Sequence, residues 1–100
     1  MERASNHHER EWQVMYLVTV NVYLRDGIAD PEGMTIAEAA RALDFGTVRG
    51  IGAGKTYRVE LDVSSEDEAR RVAESLAERL LSNPVIQRFE IAQVSEVADQ

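Results

Sequence analysis

Between Val14 and Leu24, Tyr16, Val18, Val20, Val22 and Leu24 fall on one side of a two-residue repeat, and Leu17, Thr19, Asn21 and Tyr23 on the other. A period of two belongs to a β-strand, and the β-branched and aromatic residues that fill this run suit a pleated, half-buried surface. The first side is wholly apolar and must be covered. The second mixes Leu17 and Tyr23 with polar groups, so neither face is made for bare water. A strand of this length needs partner strands and a covering layer, and the rest of the chain has to supply them.

Asp26-Gly27 stops the strand, and Asp30-Pro31 follows with an N-cap oxygen and a residue whose fixed φ suits the first helical turn. Ile36, Ala39, Ala40 and Leu43 then recur at helical spacing, with Gly46 as a stop. Thr35 and Glu38 offer a second, capping-box start, so the boundary is open by one turn. Gly33 in the first turn costs up to ~1 kcal/mol relative to Ala, which points to a close backbone approach or a late helix start. Residues 47–53 are expected to form a short strand interrupted by glycines, with Gly54-Lys55 turning into Thr56 to Val63. There Tyr57, Val59, Leu61 and Val63 alternate with Arg58, Glu60 and Asp62. Ser65 and Glu68 form a capping box for a second helix, whose stripe is Ala69, Val72, Ala73, Leu76 and Leu80. Pro84 ends it, and Phe89, Ile91 and Val94 lie in a final strand.

The order strand-helix-strand-strand-helix-strand predicts an α+β two-layer sandwich, an antiparallel-rich sheet with both helices on one face. The other face, carrying Leu17 and Tyr23 or their opposites, is then an interface, and a dimer or dimer of dimers is expected. Residues 1–13, with Trp12 at their end, read as a flexible extension, 14–95 as the domain and 96–100 as a tail.

With 100 residues the chain is one domain with a thin core, and its 44% hydrophobic content places it among globular proteins. The absence of cysteine excludes disulfides and thiolate zinc sites and fits a reducing compartment, so a cytoplasmic location is expected. No apolar run is long enough for a membrane span, and the N-terminus has no signal-like apolar stretch. A net charge of -7 argues against nucleic acid, which is bound through clustered Lys and Arg.

Catalytic patterns fail one by one. Gly50, Gly52, Gly54, Lys55 and Thr56 resemble a phosphate-binding loop, but Arg49 stands where its first glycine belongs and a strand, not a helix, follows. His7 and His8 are adjacent in the extension and cannot hold fixed metal or general-base geometry. Glu66, Asp67 and Glu68 suit a helix N-terminus, and Glu74 and Glu78 a solvated helix side. Ser64 and Ser65 have no histidine partner in the folded region. Asp30, Pro31, Glu32 and Gly33 have an ordinary capping role, and Asn83, Pro84, Val85 and Ile86 end a helix. Val85 and Ile86, apolar on a connection, add a modest case for an anchoring contact.

In order and on the expected elements, four motifs resemble the PurS family, the small subunit of phosphoribosylformylglycinamidine (FGAM) synthase. Gly27, Asp30, Pro31 and Gly33 match a Gly-x-x-Asp-Pro-x-Gly loop. Leu43 and Phe45 match a Leu-Gly-Phe helix end, with Asp44 in place of glycine. Gly54 and Lys55 match a Gly-Lys turn, and Leu81, Asn83, Pro84, Val85 and Ile86 a Leu-x-Asn-Pro-Val-Ile helix end. Gly52 stands where the family commonly has a basic or polar residue, and the first 13 residues have no expected counterpart.

The resemblance implies a non-catalytic subunit of a glutamine-dependent ligase complex that converts formylglycinamide ribonucleotide to its amidine with ATP. It implies that the chain bridges the synthetase subunit PurL and the glutaminase subunit PurQ and assists ammonia transfer, with Asp30, Pro31, Gly33, Gly54, Lys55, Asn83, Pro84, Val85 and Ile86 as partner-binding residues. No cofactor or metal is expected on this chain; ATP and magnesium are expected on the large subunit. Two alternatives stay open: a small-ligand regulatory domain of similar topology, and a small enzyme using only carboxylates.

Overall fold

The computed structural model describes residues 14–98. The extension expected over residues 1–13, with Trp12, His7 and His8, lies outside the described residues. The elements are β1 (Val14–Leu24), α1 (Pro31–Ala42), β2 (Gly54–Leu61), α2 (Glu66–Leu76), a π-helical turn (Ala77–Leu81) and β3 (Gln87–Ala98). The sheet is antiparallel with strand order β2-β1-β3. The α+β class and the antiparallel sheet follow the sequence pattern.

β1 is the central strand, and its apolar side makes the core. Val18 stands between Val59 and Val94, and Val20 between Tyr57 and Ile91. Both valines are fully buried, which stabilises the fold by roughly 1.5–3 kcal/mol each. α2 covers them with Ala69 and Ala73, and the π-helical turn that follows adds Ala77, all fully buried. Side chains this small let the helix sit close to the valines. Phe89, Ile91 and Val94 all pack on this core although their spacing breaks the two-residue period. A bulge makes this possible: the pairing shifts between Thr19↔Gln93 and Val20↔Ile91, so Ala92 is the extra residue.

Ser65 caps α2 by accepting the Glu68 N–H at 3.1 Å. The Glu68 carboxylate reaches one residue beyond the expected box, accepting the Ser64 N–H and hydroxyl. In the π-helical turn the Ser82 N–H and hydroxyl both donate to the Ala77 carbonyl, at 2.9 and 2.8 Å. The wider turn brings Leu81 against the core and leaves Leu80, a member of the expected stripe, 72% exposed.

Four sequence expectations are corrected. The sheet has three strands rather than four, because residues 47–53 lie beyond the end of β1 and have no strand to pair with. Their alternating glycines also disfavour extended pairing. Gly54 and Lys55 are not a turn but the first residues of β2, opposite Tyr23 and Val22. α2 covers the sheet, whereas α1 buries Gly33 and Ala37 and lies along residues 49–51, leaving Ile36 44% and Leu43 70% exposed. β3 continues to Ala98, opposite Val14, past the boundary expected at residue 95.

Candidate functional site

Because β1 runs antiparallel to both neighbours, its C-terminal end adjoins the start of β2 and the start of β3: Tyr23 pairs with Gly54, and Leu24 with Gln87. The loops that precede α1, β2 and β3 therefore gather at one end of the sheet. Every residue singled out for partner binding lies in these loops or in the first residues of α1 and β2 that they lead into.

Asp30 organises the first of them. As N-cap of α1 it accepts the Gly33 N–H on Oδ1, and on Oδ2 it accepts the Ala53 N–H, each at 2.9 Å. The two bonds, that from Ala53 foremost, hold its carboxyl below the usual range. Pro31 occupies the first helical turn, where its missing N–H is harmless. Gly33 lies so close to the Ile51 carbonyl that a Cβ would overlap it. The close approach inferred from glycine in a first turn is thus met by the 47–53 segment. Gly54 is constrained too, though less tightly, since its Cβ would lie 2.7 Å from the Val22 carbonyl oxygen.

The Asn83–Ile86 turn is fixed by its own polar groups. The Asn83 side-chain oxygen accepts the Val85 N–H at 3.1 Å, and the Asn83 carbonyl accepts the N–H groups of Ile86 and Gln87. Arg25 ties this turn to the end of β1: its backbone N–H donates to the Ile86 carbonyl and its Nε to the Pro84 carbonyl, both at 2.9 Å. Held this way, Val85 projects with 80% of its surface exposed.

Between the loop after β1 and the start of β2 is an open concavity of about 610 Å³, whose lining includes Arg25, Gly27, Asp30, Gly54, Lys55 and Arg88. Gly27 turns the chain at φ 85°, a left-handed conformation suited to glycine. Of the expected residues, Asp30, Gly54 and Lys55 line the concavity. Pro31 and Gly33 belong to the helix start beside it, and Asn83, Pro84, Val85 and Ile86 join it through Arg25.

The open sheet face differs from the apolar surface expected of it. The Tyr23 hydroxyl donates to Glu90 Oε1 and Asn21 Nδ2 to Glu90 Oε2, each at 3.2 Å, while the Thr56 hydroxyl donates to Asn21 Oδ1 at 2.8 Å. The Arg88 guanidinium lies 5.2 Å from the centre of the Tyr23 ring. This end of the face is polar and internally satisfied; Met15, Leu17 and Val97 form an apolar patch at the other end. Sequence reasoning missed Arg25 and Arg88. Arg25 was detectable only as the first residue after a strand, since the Pro84 carbonyl it binds is 59 residues away.

Among the described residues, nothing at this site amounts to a reaction centre. Among the described residues no group of three or more His, Cys, Asp or Glu is placed to hold a metal. Ser64 and Ser65 are engaged in capping α2. Gly54, Lys55 and Thr56 lie in a strand, without the helix N-terminus that a phosphate loop requires. The arrangement is suited to binding.

Residues 17–95 match the family model PurS, described as phosphoribosylformylglycinamidine (FGAM) synthase. The phosphoribosylformylglycinamidine synthase subunit PurS of Archaeoglobus fulgidus is 37% identical over 75 residues, covering 75% of this chain and 94% of that protein. The fold superimposes on PurS of Thermus thermophilus with a TM-score of 0.77 at 25% identity, covering 83% of this chain and 98% of that one. A chain in the structure of PurLQS from Thermotoga maritima gives a TM-score of 0.71 at 26% identity, again covering 83% and 98%.

Proposed function

The chain belongs to the PurS family of phosphoribosylformylglycinamidine synthase subunits, and on that basis we propose that it is the small, non-catalytic bridge between a synthetase and a glutaminase subunit. In this role it holds the two larger proteins in register, so that ammonia released from glutamine reaches the ATP-dependent amination of formylglycinamide ribonucleotide. ATP and magnesium then belong to the synthetase, and the work is cytoplasmic.

One observation carries the reading: the segments holding Asp30, Lys55 and Val85 converge on one end of the sheet, each fixed by specific hydrogen bonds yet open to a partner. A regulatory ligand domain would instead need an enclosed pocket with converging polar groups. Here the concavity is open, and its most shielded carboxylate, Asp30, is already engaged by two backbone N–H groups.

The bridge works as a homodimer joined through the open sheet face, where Met15, Leu17 and Val97 supply the apolar contact and a stable interface buries on the order of 800 Å² per partner. Sedimentation of the chain alone, and then with purified synthetase and glutaminase subunits, tests both parts. The expected results are a dimer at micromolar concentration and a complex containing all three proteins. A monomer would remove the dimer from this account, and failure of the three to associate would overturn the bridging role.

A further inference from the structure

If the chain is a bridge, its loop-rich end must recognise something, and the charges there specify the chemistry. The chain has 18 acidic and 11 basic residues, yet Arg25, Lys55 and Arg88 line the concavity at the sheet end. Two of these cations are held in place. The bond from Arg25 Nε to the Pro84 carbonyl orients its guanidinium, whose terminal nitrogens have no partner among the described residues. Arg88 is stacked over Tyr23, whose hydroxyl is in turn bound by Glu90. The Lys55 side chain makes no hydrogen bond or ion pair among the described residues.

The carboxylates in the same lining do not neutralise these cations. Both oxygens of Asp30 accept backbone N–H groups. Asp26 stands 3.8 Å from Arg88 with its side chain 96% exposed, a pair that solvent screens almost completely. What is left is a set of pre-positioned donors facing an open hollow.

From this geometry we infer that the concavity receives a carboxylate-bearing loop of one of the larger subunits, with Arg25 and Arg88 as planar donors and Lys55 as a point charge. Arginine forks match carboxylates in paired hydrogen bonds, and holding them in advance lowers the ordering cost of binding. A hollow open to solvent suits an inserted loop better than a metabolite, which needs burial on most sides. A net charge of -7 disfavours a polyanion such as nucleic acid.

The inference rests on the bridging role, and the test separates the two. Assembly of the full-length chain with the purified synthetase and glutaminase subunits is titrated at low and high salt, using wild type, Lys55→Glu, Arg88→Gln and Val85→Asp, with melting curves confirming that each variant is folded. Lys55→Glu is expected to weaken assembly by about tenfold or more at low salt, Arg88→Gln by less, and the Lys55→Glu defect to shrink as salt screens it. If wild type assembles and both charge variants match it at low salt, the acidic loop is wrong while the bridge stands. A Val85→Asp defect alone would place the contact on the apolar turn instead. If wild type does not assemble, the bridge fails and the inference with it.

Discussion

The Asp30 carboxylate accepts one N–H from the helix it caps and another from a segment 23 residues further along the chain. The first bond was readable locally, because Asp-Pro before a helical stripe is a start signal. The second was not, since nothing in the pattern of residues 47–53 announces a distant acceptor. Asp30→Asn keeps one acceptor oxygen and loses the other, so it should lower the melting temperature near neutral pH by several degrees. The folded pKa of Asp30 is depressed, so its contribution is present above the unfolded carboxylate value and is lost as pH falls through the folded value. Melting curves should therefore show a constant gap between wild type and variant above about pH 5, closing below about pH 4. Gly33→Ala tests the neighbouring contact: its methyl would overlap the Ile51 carbonyl, and denaturation should report a loss of about 1–3 kcal/mol. Asp44 stands at φ 77° at the end of α1, where a side chain is strained, so Asp44→Gly should be stabilising by a few tenths to about 1 kcal/mol.

At the level of elements, legibility depended on whether a segment's partner could be inferred from its own pattern. β1, β2 and α2 were legible because each carries an apolar side with the correct period that packs on the core, with Val72 alone of the α2 positions in that stripe left exposed. α1 carries a similar stripe, but a stripe says only that something should cover it; among the described residues Ile36 and Leu43 remain exposed. The glycine-broken run at 47–53, expected as a strand, forms none, because strand formation requires a partner and β1 has already ended. The candidate site was legible as three motifs in order. Their convergence was not, because it follows from the antiparallel register of β1 with both neighbours. The π-helical turn provides a direct check on packing after α2. Leu81→Ala removes a partly buried contact and should cost about 1–2 kcal/mol in urea denaturation, whereas Leu80→Ala should stay within about 0.5 kcal/mol of wild type.

For the molecule as a whole, a thin core, a satisfied polar network on the open sheet face and a set of fixed loops at one end describe a part that works by contact. Calorimetric titration of the isolated chain with ATP should give no saturable binding, because Gly54, Lys55 and Thr56 lie in a strand and present no helix N-terminus to a phosphate. The central claim is that this chain couples two active sites held by other proteins. Its most direct test is the rate of FGAM synthesis by the purified synthetase and glutaminase subunits, measured with and without this chain, using either glutamine or a high concentration of free ammonia as nitrogen source. Omission should abolish the glutamine-dependent rate and leave much of the ammonia-dependent rate, because dissolved ammonia bypasses a lost connection. Equal loss with both nitrogen sources, with the larger subunits intact, would contradict the account.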